Sequence, residues 1–303
     1  MSTNWAGSTV LGLVIGSHPS AAFLGEPAMI VRRDSQGKWR HQEFCSTCGV
    51  DSPTPCPIWN PALIAQVRAT PDRVYDTVAE RLPSARFFVD SSKNKNWLEA
   101  AVQRGNVNAK VIHISKAVHR FAGSALNRRK TRGSIEAIGW HWAKDNQEIR
   151  DLAAARNLDY LHVRYADFAR DVAGTLLRVG EFLNYQPDAR QAEFWTYPHH
   201  FVKGNPGTAT HFDEKRIESQ AGLNRDLYRE NHRMIFLDDK WKELMTPDEL
   251  SALCSMPEVR REMEILGHKS PDYRPAPFAR RVRGRFIAGA SNIVDRMRRL
   301  AGR

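Results

Sequence analysis

The stretch that decides the fold is Val111-Ile-His-Ile-Ser-Lys-Ala-Val-His-Arg-Phe-Ala-Gly-Ser124. Its apolar, β-branched beginning is bounded by polar residues, which predicts a buried parallel strand over 110–114. The run leads to a cation, Lys116, and a hydroxyl, Ser124, follows eight residues later on a predicted helix. A cation at the carboxyl end of a strand, beside a helical hydroxyl, is typical of an anion site at the mouth of an α/β sheet. We therefore predict that Lys116 and Ser124 bind an anion.

Two further apolar runs, at 86–90 and 160–165, also predict strands. Helical patterns occupy the intervals, at 97–104, 121–130, 135–156 and 173–183. Strands that alternate with helices predict βαβ units and a parallel sheet, and hence an α/β protein. A hairpin is predicted over 30–39, with its turn at Asp34-Ser-Gln-Gly37.

A second candidate anion site lies near the start of the chain. Asn4-Trp-Ala-Gly-Ser-Thr9 precedes an apolar run, which predicts a loop that opens a helix with Ser8 and Thr9 in its first turn. The free N–H groups of a helix start, together with hydroxyls, bind phosphate. Only three residues precede this loop, where a parallel sheet of this kind has a central strand. Either the start of the chain has been clipped or mis-assigned, or the sheet lacks that strand, and we favour clipping.

The composition is that of an ordinary globular protein. The 303 residues are 42% hydrophobic and 26% charged, which is enough for the core of one large α/β domain. The sequence has no apolar run of eighteen residues, and its N-terminus lacks the layout of a secretory signal. We therefore expect a cytoplasmic protein.

Much of the net charge of +11 lies in a C-terminal tail. Residues 280–303 contain eight arginines and one aspartate, and apolar residues recur among them at helical spacing. A basic amphipathic helix can bind an anionic membrane surface or an acidic glycan, and basic stretches bind nucleic acid without sequence preference. A helix docked on the body, or a solubilising tail, is the alternative. We expect peripheral membrane contact through the tail as one option, and no specific nucleic-acid partner.

Three of the four cysteines form a cluster, Cys45-x-x-Cys48 and Cys56, with His41 nearby. Three thiolates and one histidine are a ligand set for zinc. A reduced loop and a local disulfide are the alternatives. The absence of a second Cys-x-x-Cys pair favours these alternatives over zinc.

Together these motifs resemble sulfotransferases that use 3′-phosphoadenosine 5′-phosphosulfate (PAPS), in the bacterial branch related to carbohydrate and tyrosyl-protein sulfotransferases. The resemblance covers about residues 4–231 and rests on the segments 6–9, 18–19, 25–26, 90–93, 116–124, 163–168 and 200–205. It implies a P-loop, nucleotide-kinase-like, three-layer α/β/α domain with a central parallel sheet and a truncated first strand. That domain would span residues 1–275, with a cysteine-containing insertion at about 40–60, before the tail at 276–303.

The resemblance implies a donor site built from three segments. The loop around the 5′-phosphosulfate matches Trp5, Ala6, Gly7, Ser8 and Thr9. The pair of residues that binds the 3′-phosphate matches Lys116 and Ser124. A lid over the nucleotide matches Gly204 and Asn205. The family usually has Arg or Lys at position 5 and Arg at position 116. Lysine keeps the charge but lacks the bidentate fork of arginine. The loop lacks the Gly-Lys-Ser/Thr of a Walker A motif, which argues against an ATPase or a kinase.

Glu26 and Lys93 are the implied catalytic residues. A carboxylate can take the proton of the acceptor hydroxyl, and a cation after a strand can stabilise charge on the sulfuryl group or on the bridging oxygen. The alternative bases are His199 and His200. The candidate cations of the lid are Lys215, Arg216 and Arg225. Arg164 and Asp167 are expected to stabilise the fold and not to contact the donor.

The sequence thus predicts an enzyme that transfers a sulfuryl group from PAPS to a hydroxyl of a carbohydrate, a lipid or a small molecule, leaving 3′,5′-adenosine bisphosphate (PAP). One alternative is a non-catalytic relative that binds PAP or an anionic glycan. The other is a basic adaptor that binds membranes or nucleic acid through its tail.

Overall fold

Four short strands form the centre of the molecule, and they pair in parallel. The computed structural model describes residues 1–39, 44–49, 55–105, 107–128, 134–220 and 223–271. In it β1 (Ala21–Gly25) pairs with β2 (Phe87–Asp90), and β3 (Val111–Ser115) pairs with β4 (Tyr160–Arg164). The last three strands lie within one residue of their predicted ranges. The pattern did not predict β1, because in Ala-Ala-Phe-Leu-Gly only the phenylalanine has a high strand propensity.

The first residue of the chain pairs with β3. The amino group of Met1 donates to the carbonyl of Ile112 at 2.8 Å, and the amide of Ile114 donates to the carbonyl of Met1 at 3.1 Å. This is a parallel pattern. Met1 therefore pairs with β3 as a single residue, in the position where the sequence led us to expect a whole central strand.

Helices lie before β1, between the strands and after β4. They are α1 (Ser8–Gly16), α2 (Pro61–Ala69), α3 (Val74–Ala79), α4 (Lys95–Gln103), α5 (Val118–Arg128), α6 (Ile135–Ala155), α7 (Tyr165–Arg170), α8 (Val172–Leu183), α9 (Lys215–Glu218), α10 (Leu223–Glu230), α11 (Trp241–Leu244), α12 (Pro247–Ser255) and α13 (Pro257–Ile265). Single 3₁₀ segments lie at Pro27–Met29, Pro71–Arg73, Ala189–Thr196 and Pro206–His211. The helix after the loop at 4–9 is confirmed as α1, and the four helical patterns correspond to α4, α5, α6 and α8.

Side-chain caps begin several of these helices. Ser134 accepts a hydrogen bond from the amide of Ala137 at the start of α6, and Asp171 accepts one from Gly174 at the start of α8. Such caps satisfy N–H groups that a helix start leaves without a partner. The starts of α6 and α8 lie within one residue of the helical patterns predicted at 135–156 and 173–183.

The side chains of the strands alternate between two faces, and helices cover both. On one face Phe23, Ile114 and Val163 pack with α1 and α8. On the other face Leu24 packs with α2 and α3, while Val111 packs with α6. Helices on both faces of parallel strands form a three-layer α/β/α arrangement. The predicted α/β class is therefore confirmed.

Two other predictions concern segments outside the central strands. The hairpin at 30–39 contains one antiparallel bridge, between Arg33 and Trp39. The tail at 276–303 lies outside the described residues, as do 40–43 and 50–54 of the cysteine-containing segment. Within the described ranges, every helix is too short or too polar to cross a membrane. The division into a domain and a tail stays a prediction.

Candidate functional site

A pocket opens where β3 ends and α1 begins. Among its lining residues are five that the sequence assigned to donor binding, namely Trp5, Gly7, Lys116, Ser124 and Asn205. The other lining residues are Val10, Tyr165, Thr208, His211, Asn224, Leu227, Tyr228, Met234, Ile235, Phe236, Asp238 and Lys240. Three segments far apart in the sequence therefore meet in one place, as the anion-site hypothesis requires.

The loop before α1 has a backbone shape that only glycine adopts easily. Gly7 has φ +99°, and a Cβ built on it would lie 2.2 Å from Cδ2 of Tyr165. Trp5 lies at φ 60° and packs its ring 5.6 Å from the ring of Phe121. Gly7 and Val10 both line the pocket. The first turn of α1 therefore borders the pocket, where its N–H groups favour an anion.

The loop at 5–9 and the segment at 204–205 are in contact. The amide of Asn205 donates to Oγ1 of Thr9 at 3.2 Å. A Cβ on Gly204, at φ +136°, would lie 3.1 Å from Cγ2 of Thr9. Ala6, Ser8 and Thr9 are buried beside the pocket. All the positions assigned to the phosphosulfate loop and the lid thus lie in or against one site.

Lys116 is a buried lysine, with a relative exposure of 7%. Its carbonyl accepts a hydrogen bond from Nε1 of Trp142 at 2.8 Å, and its ammonium lies 5.0 Å from the centre of the Tyr165 ring. Ser124 lies on α5 and donates its hydroxyl to the carbonyl of Arg120 at 3.1 Å. Lys116 is therefore a buried lysine that lines the pocket, and not a solvated surface lysine.

Asp238 and Lys240 form an ion pair beside Lys116. Nζ of Lys240 lies 2.8 Å from Oδ2 of Asp238, with side-chain exposures of 11% and 12%, and it donates to Oδ1 of Asn224 at 2.7 Å. Burial raises the pKa of the Asp238 carboxyl, but Lys240 and Lys116 outweigh burial and hold that pKa below its usual value. Two cations against one carboxylate leave this side of the pocket positive.

Sequence reasoning missed Asp238 and Lys240. They belong to Asp-Asp-Lys, a mixed-charge run that is typical of a solvated surface. Long-range contacts bring the run to the pocket, since Tyr165 donates its hydroxyl to the carbonyl of Phe236 at 2.9 Å and Arg120 pairs with Asp239 at 2.5 Å. No local pattern indicates either contact.

Glu26 and Lys93 follow neighbouring parallel strands and touch each other. Nζ of Lys93 lies 2.5 Å from Oε1 of Glu26, and each side chain is 15% exposed. The amide of Glu26 donates to the carbonyl of Val202 at 2.7 Å. These two residues are not among those lining the pocket. The segment from Val202 to Asn205 joins the two places, because Val202 pairs with Gly25 and Asn205 reaches the pocket.

The alternative bases are both engaged in the interior. Nε2 of His199 lies 3.0 Å from the carbonyl of Phe194, and burial lowers the pKa of His199 to about 4. Nδ1 of His200 lies 3.4 Å from the sulfur of Cys48 and 3.4 Å from that of Cys56. Both histidines therefore already have partners in this arrangement.

The remaining candidates hold other parts of the fold. Arg164 pairs with Asp167 at 2.6 Å, as expected for a structural pair. Arg216 donates to the carbonyls of Ser46 and Thr47, in the cysteine-containing segment. The guanidinium of Arg225 donates to the carbonyl of Gln220, and Lys215 begins α9. None of the three candidate lid cations lines the pocket.

The structure is similar to two solved domains. The sulfotransferase domain from the curacin biosynthetic pathway matches with a TM-score of 0.56 and 17% identity, over 89% of this chain and 96% of that domain. The sulfotransferase domain from the Synechococcus PCC 7002 olefin synthase matches with a TM-score of 0.58 and 17% identity, over 89% of this chain and 94% of that domain. The chain has a sulfotransferase fold.

The sulfotransferase fold agrees with the resemblance found in the sequence. No family model matches the sequence, and no curated protein matches it. The similarity to the two domains is therefore structural. At 17% sequence identity it shows the fold alone. The roles of individual residues rest on their own chemistry.

Proposed function

We propose that the protein is a sulfotransferase that takes its sulfuryl group from PAPS. The observation that carries this proposal is the pocket that Gly7, Lys116, Ser124 and Asn205 share with a second cation, Lys240, whose side chain is 11% exposed. The N–H groups of a helix start and two lysines in the same pocket suit a ligand with two separate anionic groups. A nucleotide with a 3′-phosphate and a 5′-phosphosulfate has that charge pattern.

In this proposal each side of the pocket binds one end of the donor. Lys116, Lys240 and the hydroxyl of Ser124 bind the 3′-phosphate. The first turn of α1 binds the 5′-phosphosulfate through backbone N–H groups, and Gly7 allows the close approach that a side chain would prevent. The segment at 204–205 covers the donor from the side of Thr9.

Glu26 and Lys93 carry out the transfer in this proposal. As the acceptor oxygen forms its bond to sulfur, the carboxylate of Glu26 takes the hydroxyl proton. The bond between sulfur and the bridging oxygen breaks, and its electron pair stays with the departing phosphate. Lys93 donates a hydrogen bond to that oxygen and so stabilises the developing charge. The hydrogen bond from Lys93 to Glu26 supports assigning both side chains to the same step.

Calorimetric titration of the full chain with PAP tests donor binding. We expect the intact chain to bind PAP and the double variant Lys116→Met/Ser124→Ala to bind it about 10²- to 10⁴-fold more weakly, because the variant removes two hydrogen bonds to a charged phosphate and each contributes about 1.5–3 kcal/mol. Lys110→Met is the matched control, since Lys110 precedes the other end of β3 and pairs with Asp159. Failure of the intact chain to bind PAP, or equal affinity in the double variant, would refute the proposal.

A non-catalytic relative that binds PAP is the second candidate. Trp5 stands where the family usually has a cation, and its ring packs on Phe121 in the pocket. Single-turnover transfer from radiolabelled PAPS to a panel of sugars, phenols and hydroxylated lipids separates the two candidates. Labelled product supports the enzyme, whereas binding of PAP without any product supports the second candidate.

A further inference from the structure

We propose that Cys45, Cys48, Cys56 and His200 bind one zinc ion. The three sulfur atoms and the histidine nitrogen all lie within 4.8 Å of one another. Thiolate and imidazole ligands in a set of four are the usual donors of a structural zinc site. The inference is independent of the proposed transferase activity, because none of these residues contacts the pocket.

The distances between the ligand atoms suit one shared ion. In a tetrahedral site with Zn–S about 2.3 Å and Zn–N about 2.0 Å, a nitrogen and a sulfur lie about 3.5 Å apart. Nδ1 of His200 lies 3.4 Å from the sulfur of Cys48 and 3.4 Å from that of Cys56. A disulfide instead requires two sulfurs about 2.0 Å apart. The three cysteines are free in this structure.

Backbone N–H groups point at the sulfur atoms. The amide of Trp59 donates to the sulfur of Cys56 at 3.2 Å, and the amides of Thr47, Cys48 and Phe201 hydrogen-bond to that of Cys45. Donors of this kind stabilise the negative charge on thiolate ligands and orient them around a metal. Cys45 is fully buried and Cys56 is 7% exposed, so the ion would lie at the edge of an apolar core.

An arginine that also pairs with Asp213 at 3.6 Å lies beside the segment that carries two of the ligands. Three thiolates, a neutral histidine and Zn²⁺ sum to one negative charge. Arg216 donates to the carbonyls of Ser46 at 3.1 Å and Thr47 at 3.2 Å, between Cys45 and Cys48. The arginine that the sequence offered as a lid cation therefore belongs to the surroundings of the metal site.

The ion would hold the segment that carries part of the donor pocket. His200 leads directly to Phe201, whose carbonyl accepts a hydrogen bond from Ser46 at 2.7 Å, and to Val202, which pairs with Gly25. With four protein ligands the metal has no open position, so its role is structural. The sequence pointed to His41 as the histidine near the cysteines. The structure instead supplies His200, while His41 lies outside the described residues.

Metal analysis of the purified full chain tests this site. We expect one zinc ion per chain by mass spectrometry of the digested protein, and less than about one tenth of that in Cys56→Ser and His200→Ala. Cys254→Ser is the matched control, because Cys254 is a free cysteine outside the cluster, and His41→Ala tests the rival histidine. Both controls should keep their zinc.

Two measurements on the unmutated chain apply even if the variants do not fold. Replacement of zinc by Co²⁺ should give the strong visible absorption of a tetrahedral thiolate site. Thiol titration of the denatured, chelated chain without reductant should detect all four cysteines. A count of two thiols would show a disulfide and overturn the proposal. The zinc proposal is also overturned if the purified chain neither contains zinc nor takes it up. It is overturned as well if His41→Ala loses zinc while His200→Ala keeps it.

Discussion

Gly7→Ala should destabilise the protein far more than an ordinary glycine substitution. At φ +99° a Cβ is strained, which costs about 1–2 kcal/mol. The new Cβ would also lie 2.2 Å and 2.3 Å from two ring carbons of Tyr165. That ring is buried and its hydroxyl is bonded to the carbonyl of Phe236, so moving it disturbs the core by about 1–3 kcal/mol more. We expect a total loss of about 2–5 kcal/mol in the free energy of unfolding.

Gly37→Ala separates the two contributions. Gly37 also has a positive φ, +78°, but nothing lies within 4 Å of its Cβ position. Urea unfolding, followed by circular dichroism, should show only the backbone cost there, about 1–2 kcal/mol. The difference between the two variants then measures the contact with Tyr165.

A double-mutant cycle decides whether Tyr165 is the cause. In a Tyr165→Leu background the cost of Gly7→Ala should fall to that of Gly37→Ala, which gives a coupling of about 1–3 kcal/mol. If Gly7→Ala costs no more than Gly37→Ala, the close approach between the loop and α7 is wrong. If the coupling is absent, the ring is not what excludes a side chain at position 7.

Three further predictions concern acid stability, transfer and donor affinity. Burial lowers the pKa of His113 to about 3 from 6.5, so between these pH values the unfolded chain binds the additional proton. The stability due to this histidine is complete above pH 6.5 and falls by about 1.4 kcal/mol per unit as the pH drops towards 3. Urea unfolding at stepped pH should show a shallower fall in His113→Gln, and an unchanged slope would show that this histidine does not cause the fall. Glu26→Gln should keep the calorimetric affinity for PAP within about twofold yet slow transfer by about 10²- to 10⁴-fold, and an unchanged rate would remove Glu26 as the base. Trp5→Arg should tighten PAP binding about tenfold, because it adds one charge-assisted hydrogen bond to the pocket; an equal gain in Trp5→Gln would show that relief of packing, and not charge, is responsible.

Much of the fold could be read from local patterns. The strands β2, β3 and β4 are apolar runs between polar ends, and α6 begins at a readable serine cap. These signals arise from the burial of neighbouring side chains and the satisfaction of nearby backbone groups, so each is contained within a few residues. The strand β1 carries no such signal, because its pairing with β2 and its packing on α1 stabilise it rather than its own propensity.

Only part of the candidate site could be predicted from the sequence, because some of its contacts join segments that are far apart in the chain. Gly7, Lys116 and Ser124 stand in motifs whose chemistry is local, a loop before a helix and a cation after a strand. Asp238 and Lys240 reach Lys116 across more than a hundred residues, and His200 reaches Cys48 across a similar separation. Nothing in a short window encodes which distant segments meet.

The sequence by itself therefore determined the α/β class, the position of the glycine-containing loop before α1 and the cation that follows β3. Only the tertiary structure decided which second cation completes the pocket, that Glu26 and Lys93 are in contact, and which histidine joins the cysteines. Local spacing fixes which face or end of an element a residue occupies. The packing of those faces against one another fixes its partners.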